Sequence, residues 1–344
     1  MNKWYDSSET DENIVISSRI RLARNVKKYP FSQKLSESQA VKLIEEVKDS
    51  IKNANSSFGN SFDFININEK SDAEKYSLLE NHSISSDLMD TKKPAGVLIK
   101  DDETISIMIN EEDHIRIQTV FPGYNIEKAW DIADKIDNLI EENIDYAFDE
   151  NYGYLTSCIT NTGTGMRASF MIHIPLIETF GQVENLTQAI SKFGMTLRGI
   201  YGEGSEPLGG IYQISNQVTL GKSEKEIIEA LKNVTNQIIE QEKELADNLL
   251  RDRRIELEDK VFRSYGILSN CRKISSKEAM KLLSDLRFGV ITGMLNLKNK
   301  DINIYNIMMN IQPGNLLKYM NKSGNPAERD IQRATYIREK LGNN

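Results

Sequence analysis

Gly96-Val-Leu-Ile-Lys-Asp-Asp-Glu-Thr-Ile-Ser-Ile-Met-Ile109 decides the class of fold. Two apolar, β-branched runs flank the polar tetrad Lys100–Glu103, which is the pattern of a β-hairpin. On its N-terminal side, residues 38–55 carry Ala40, Val41, Leu43, Ile44 and Val47 at helical spacing. On its C-terminal side, residues 126–147 predict a second helix, with Ala129, Ile132, Ala133, Ile136, Leu139 and Ile140 on one face. Strands are predicted at Tyr152–Ser157, Ser169–Ile174 and Gly209–Asn216, and a helix over Val183–Leu197. Strands and helices come in runs without regular β-α-β alternation, so the expected class is α+β with an antiparallel sheet.

The pattern changes near Gly221. Ser223-x-x-Glu226 is a capping box, and the helix behind it carries Ile227, Leu231, Val234, Ile238 and Leu245. From there the sequence is almost entirely helical. Ser276-x-Glu278 opens another amphipathic segment, and a last helix is expected over 327–341 after Pro326. The expectation is a mixed domain over 1–221 and an all-helical domain over 222–344, as a chain of 344 residues exceeds one ordinary core.

With 43 Lys+Arg against 51 Asp+Glu the net charge is −8, which argues against general nucleic-acid binding. Two cysteines make no disulfide framework, and no secretory h-region follows Met1, so a reducing, cytoplasmic setting is expected. No apolar run reaches the ~18 residues of a membrane span. No His/Cys spacing suggests a metal site.

Four polar clusters stand out. In Ser17-Ser-Arg19-Ile-Arg21 a strand would project both guanidinium groups from one face, where they want an anion; a solvated basic edge is the plainer reading. Asn110-Glu-Glu112-Asp-His-Ile-Arg116 puts three carboxylates directly after an apolar strand, either as a charged turn or facing a cleft. Thr156-Ser-Cys158-Ile-Thr-Asn-Thr-Gly163-Thr-Gly165-Met-Arg167-Ala-Ser169 holds a cysteine among small residues whose N–H groups could face an anion. It is neither a P-loop nor a G-x-G-x-x-G turn, and a glycine-rich turn with a buried cysteine is its alternative. Leu197-Arg198-Gly-Ile-Tyr-Gly-Glu203-Gly reads as a helix cap and mobile lid. Five arginines without obvious partners suit polyphosphate. Glu112, Glu203 and Cys158 suit a cation. A site holding both suits phosphoryl transfer from a nucleotide to a cationic acceptor.

These clusters resemble the phosphagen (guanidino) kinase family, through Asn-Glu-Glu-Asp-His-x-Arg and Cys-x-Thr-Asn-x-Gly-Thr-x-x-Arg-Ala-Ser in that order. The resemblance implies a phosphagen-kinase-like catalytic domain that binds ATP with Mg²⁺. Its ATP-binding residues would be Arg19, Arg21, Arg116, Arg167 and Arg198, with His82 near the adenine. The guanidinium would be gripped by Glu112, Glu203 and Cys158 as catalytic residues. The family's N-terminal helical domain has no counterpart ahead of Arg19, and helices follow Gly221 instead. That arrangement is similar to the bacterial protein-arginine kinases. Arg329-Asp330-Ile-Gln-Arg333-Ala334 matches their Arg-Asp-x-x-Arg-Ala motif, which implies an allosteric phosphoarginine site.

The resemblance further implies transfer of the ATP γ-phosphate to arginine residues of proteins, marking them for Clp degradation in a stress response. Implied partners are basic or unfolded clients such as a CtsR-type repressor, an activator protein (McsA), a Clp ATPase/protease and a second copy in a homodimer. A small-molecule guanidino kinase and a non-catalytic phosphoarginine-binding adaptor are the alternatives.

Overall fold

The computed structural model describes residues 2–52, 56–200, 207–297, 302–320 and 324–342. Its centre is a sheet of eight strands: β1 (Val15–Arg24), β2 (Phe62–Asn66), β3 (Gly96–Lys100), β4 (Ile105–Ile109), β5 (Ile115–Pro122), β8 (Met166–His173), β9 (Met195–Arg198) and β10 (Ile211–Asn216). The order is β2-β3-β4-β5-β1-β8-β10-β9, and every neighbouring pair is antiparallel. The Gly96 hairpin is β3–β4, with Gly96 opposite Ile109. Two short strands, β6 (Phe148–Asp149) and β7 (Gly153–Tyr154), pair separately.

Several predicted boundaries move. The helix expected over 38–55 runs Glu37–Lys52, and residues 53–55 lie outside the described residues. The helix expected to 147 ends at Glu141. The strand expected over 152–157 shrinks to β7. The helix expected over 183–197 stops at Ser191; the chain turns at Gly194 (φ 71°) and enters β9, where Met195 and Leu197 are buried in alternation. Two-residue alternation wins there because the segment completes the sheet edge beside β10.

The register gives the sheet two unlike faces. Ile20 lies between Thr119 and Ala168, and Leu22 between Ile117 and Met166. This apolar face packs against helices Glu37–Lys52, Ile126–Glu141 and Glu224–Asp252, forming the main core. Ser223 caps the last of these through Glu226 N–H, in the capping box the sequence announces. The opposite face carries Arg19, Arg21, Arg116, Gln118, Arg167, Ser169, Gln213 and Arg198, each across from another of the set or from a small neighbour. A buried cation in this number would repel its neighbours, so the face is built to meet negative charge.

At one end this second face turns apolar. Val120, Met171 and Ile211 enter a separate core with helices Arg254–Asn270, Ser276–Ile291, Ile304–Asn310 and Pro326–Lys340. The C-terminal helices therefore sit on the arginine side of the sheet, beside the open part of that face. Arg287 pins the N-terminal segment to them by donating to Asp11 at 3.0 Å and to the carbonyls of Thr10 and Asn13. No described helix is long and apolar enough to cross a membrane.

Candidate active site

A cleft of about 340 Å³ lies on the polar face. It is lined by Arg19, Arg21, His82, Glu112, Arg116, Cys158, Arg167 and Arg198, so residues drawn from every sequence cluster converge on it. Glu203 falls within 201–206, outside the described residues.

The strands explain the convergence. Arg19 and Arg21 are two apart on β1 and share a face; Arg167 is directly opposite Arg21, and Arg116 is opposite Ala23. Arg198 on β9 lies directly opposite Gln213 on β10, which accepts a 2.6 Å bond from Arg19. Burial and the charges of Arg116 and Arg167 push the Arg19 guanidinium down to about 10. Arg21 is lowered well below the usual range, by burial first and then by Arg19, Arg116 and Arg167. Arg19 stays cationic at neutral pH, and the lowering of both guanidinium groups by burial and by one another shows that this cluster would be stabilised by a polyanion.

The acidic cluster is the β4–β5 turn. Asn110 closes it at φ 63°, with its backbone N–H on His114 O at 2.9 Å and its side chain on the carbonyls of Ala40 and Pro94. Its three carboxylates part company. Glu111 is buried against Arg116 and Ser85. Asp113 is fully buried and accepts from Asn25 Nδ2 and from Ser157 N–H, both at 2.6 Å. Only Glu112 reaches into the cleft, 3.4 Å from Arg116. Burial raises its carboxyl above the usual range, Arg116 opposes this, and Asp113 and Glu111 add to it.

The Cys158 loop differs from its sequence reading. Asn161, Thr162, Gly163, Thr164 and Met166 all donate their N–H groups within the protein. Most of the loop's N–H groups are therefore taken within the protein, and side chains supply the cleft's charge for an anion. Gly163 (φ 115°) is needed because a Cβ would meet Thr219 O at 2.5 Å, and Gly165 (φ 62°) because one would meet Ala23 O at 2.6 Å. Both glycines admit other backbone, and Gly165 also lines the cleft. Cys158 Sγ lies 3.0 Å from Thr160 Oγ1 at the cleft wall.

His82 (φ 60°) is buried at the far end of the cleft, with Gln118 Nε2 donating to its carbonyl at 2.6 Å. Burial, with Arg19 and Arg21 nearby, holds its imidazole down at about 3, so it is neutral. Its ring is 6.3 Å from that of Trp4, which in turn is 5.9 Å from Tyr305 of the C-terminal helices. Sequence reasoning missed Gln118, Gln213, Ser85 and Asp87, which also line the cleft. The signal for the first two was alternation: Arg116-x-Gln118 and Gln213-x-Ser215 each occupy one strand face.

The Arg329–Ala334 motif lies on helix Pro326–Lys340, away from the cleft. Arg329 and Arg333 do not stand as an open pair. Arg333 is 2% exposed, with its guanidinium on Ile311 O and Ile274 O at 3.0 Å and on Asp330 at 2.6 Å. Ala334 is buried in the second core, while Arg329 is half-buried and donates to Gly324 O.

Among the described residues no group of three or more His, Cys, Asp or Glu could hold a metal. A divalent ion here would be carried chiefly by phosphate oxygens, with an arginine face to match.

Residues 42–245 match the ATP:guanido phosphotransferase C-terminal catalytic domain, and residues 254–344 match the Protein-arginine kinase McsB C-terminal domain. The protein-arginine kinase of Caldanaerobacter subterraneus subsp. tengcongensis is 48% identical over 96% of this chain and 98% of its own length. That of Bacillus subtilis is 46% identical over 99% of this chain and 93% of its own. The chain belongs to the protein-arginine kinase family. Its fold also resembles that of lombricine kinase, with a TM-score of 0.60 at 22% identity over 68% of this chain and 67% of that one. A duplicated taurocyamine kinase from Schistosoma mansoni matches with a TM-score of 0.62 at 22% identity, over 78% of this chain and 39% of that one. The family's ATP:guanido phosphotransferase chemistry agrees with a cleft that brings five arginines together with Glu112 and Cys158.

Proposed function

We propose that this protein transfers the γ-phosphate of ATP to the guanidinium of arginine residues in proteins. The observation that carries the reading is the convergence in one cleft of five arginines from four strands with Glu112 and Cys158. Arg19, Arg21, Arg116, Arg167 and Arg198 bind the triphosphate, and neutral His82 faces the base. Mg²⁺ arriving with ATP would neutralise phosphate charge.

Glu112 orients the guanidinium and accepts the proton that one nitrogen loses as its N–P bond forms and the bond from the γ-phosphorus to the β-phosphate oxygen breaks. The arginine guanidinium holds its proton far above neutral pH, so early deprotonation is unfavourable. Phosphoryl transfer is loose, with little bonding to the nucleophile at the transition state, so the proton leaves late and a carboxylate suffices. Cys158 aligns the guanidinium, and Glu203 would complete the grip. In the C-terminal region, Arg329 and Asp330 are the reachable contacts for a phosphoarginine that regulates the enzyme, with Arg333 holding Asp330. Marking of clients such as a CtsR-type repressor for a Clp protease, activation by McsA, homodimer formation and a cytoplasmic setting complete the proposal by family likeness.

The test is Glu112→Gln with an arginine-bearing protein and labelled ATP, product being detected without acid because P–N bonds are acid-labile. A loss of at least about 100-fold in kcat is expected, the usual share of a general base. Activity within a few-fold of the parent would remove Glu112 from the mechanism. Cys158→Ala should cost less, because alignment and not proton transfer is lost.

A further inference from the structure

Apolar side chains are exposed in a band that starts at the acceptor end of the cleft. Ile159, next to Cys158, is 86% exposed, and Phe148, Tyr152, Phe193, Val218 and Leu220 are also exposed. The four segments that carry these six residues lie side by side. Thr219 Oγ1 donates to Thr160 O at 2.9 Å and Thr162 O at 2.7 Å, which sets Val218–Leu220 against the Cys158 loop. Gly163 bridges to Tyr154, bringing the β6–β7 hairpin alongside, with the Phe148 ring 5.2 Å from that of Tyr154. Gln217 N–H donates to Gly194 O at 2.8 Å, which adds Phe193.

We propose that this band binds the client polypeptide on both sides of the target arginine, and that it selects arginines with apolar neighbours in the chain. The inference rests on the protein-arginine kinase reading above. A guanidinium held at Glu112 and Cys158 keeps its own backbone within one side-chain length of Ile159. An extended chain advances about 3.4 Å per residue, so the next few residues must cross the rim. What they meet there is apolar, and contiguous exposed apolar surface marks a binding site. A second copy of this chain on the band would close the cleft mouth against any protein substrate, so the client is the occupant that the geometry allows.

The experiment compares Ile159→Ser, Leu220→Ser and their double variant with the parent. Two substrates are used: a blocked tripeptide with a central arginine, and a longer peptide with leucine and phenylalanine around the arginine. Ile255→Ser, an exposed apolar site on helix Arg254–Asn270, is the control. The double variant should raise KM for the longer peptide about tenfold, the scale of one lost apolar contact. Its kcat, its KM for the tripeptide and its KM for ATP should stay put, as should every constant of the control. An unchanged KM, or an equal rise for both peptides, overturns the proposal. So does a parent enzyme that forms dimers which the double variant cannot form, with unaltered peptide kinetics, because the band would then be a self-interface. If the parent phosphorylates free arginine but neither peptide, the protein-kinase reading itself fails, and that outcome is distinct from the others.

Discussion

At the scale of single residues, three adjacent carboxylates have three different tasks. Glu111 neutralises Arg116, Glu112 faces the cleft, and Asp113 is sealed in the protein holding Asn25 and the Ser157 N–H. Asp113 thereby ties the Glu112 turn to the loop that carries Cys158, so these two cleft-lining groups share one anchor. Asp113→Ala would leave the Ser157 N–H and one of the two Asn25 Nδ2 hydrogens without an acceptor, the other still reaching Leu155 O, a cost of about 1–3 kcal/mol. A lower Tm is expected together with a fall in kcat larger than the change in KM for ATP, because the phosphate side is untouched. An intact kcat in a folded variant would reduce Asp113 to a packing role. His114 supports the same anchor: it accepts from Val26 N–H at Nδ1 and lies 3.0 Å from Pro30 O at Nε2, which fixes the neutral Nε2–H form. The motif residues were legible because like charges crowded in sequence announce a partner. Which of the three carboxylates faces the cleft was not, since that depends on a left-handed Asn110 and on contacts from residues about 90 positions away.

At the scale of elements, alternation along strands was readable where both ends of a strand carry turn residues, as in the Gly96 hairpin. It failed at Val183–Leu197, where a short helix, a glycine turn and an edge strand follow one another too quickly for any one period to show. Sequence also could not reveal how the C-terminal helices dock on the arginine side. One contact there is specific. Glu80, at the end of helix Asp72–Glu80, accepts from the N–H groups of Gly314 (2.8 Å) and Asn315 (2.7 Å) at the start of helix Pro313–Met320. Two residues later the chain places His82 in the cleft. A Cβ on Gly314 would fall 2.6 Å from Ser77 N and 2.8 Å from Tyr76 C, both backbone atoms that cannot swing aside. Gly314→Ala should therefore push the two helices apart, lower Tm and weaken ATP binding several-fold in calorimetry. Gly266→Ala, with nothing within 4 Å of its Cβ, should leave ATP affinity alone and stabilise its helix by about 0.5–1 kcal/mol. An unaltered ATP affinity in Gly314→Ala would mean that the docking helix does not position the His82 segment.

At the scale of the whole molecule, buried titratable groups of opposite tendency set the response to pH. Burial lowers His82 to about 3, His173 well below its usual value and His114 below it as well. Burial raises Glu80 and Glu242 to about 7, although each carboxylate accepts two backbone N–H bonds. The histidines bind fewer protons when folded, so their contribution is full above about 6.5 and is lost as pH falls below it. The glutamates bind more protons when folded, so their contribution is full below about 4.5 and is lost as pH rises through 7. Between those limits the two sets oppose each other, which predicts a flat optimum on the acid side of neutrality and a decline toward pH 8. Glu242 isolates one contribution. It caps the short helix Pro175–Thr179 through Leu176 N–H (2.8 Å) and Ile177 N–H (2.9 Å), joining helix Glu224–Asp252 to the end of β8. Glu242→Gln keeps one acceptor oxygen and cannot ionise. At pH 5 the variant should be the less stable, for want of one hydrogen bond. By pH 8 the gap should narrow or reverse, because the parent alone carries a buried charge there, worth at most about 3 kcal/mol. Urea midpoints of both proteins across that range measure the gap directly. A difference that stays constant from pH 5 to pH 8 would show that Glu242 is ionised in the folded protein throughout, its two N–H bonds outweighing burial.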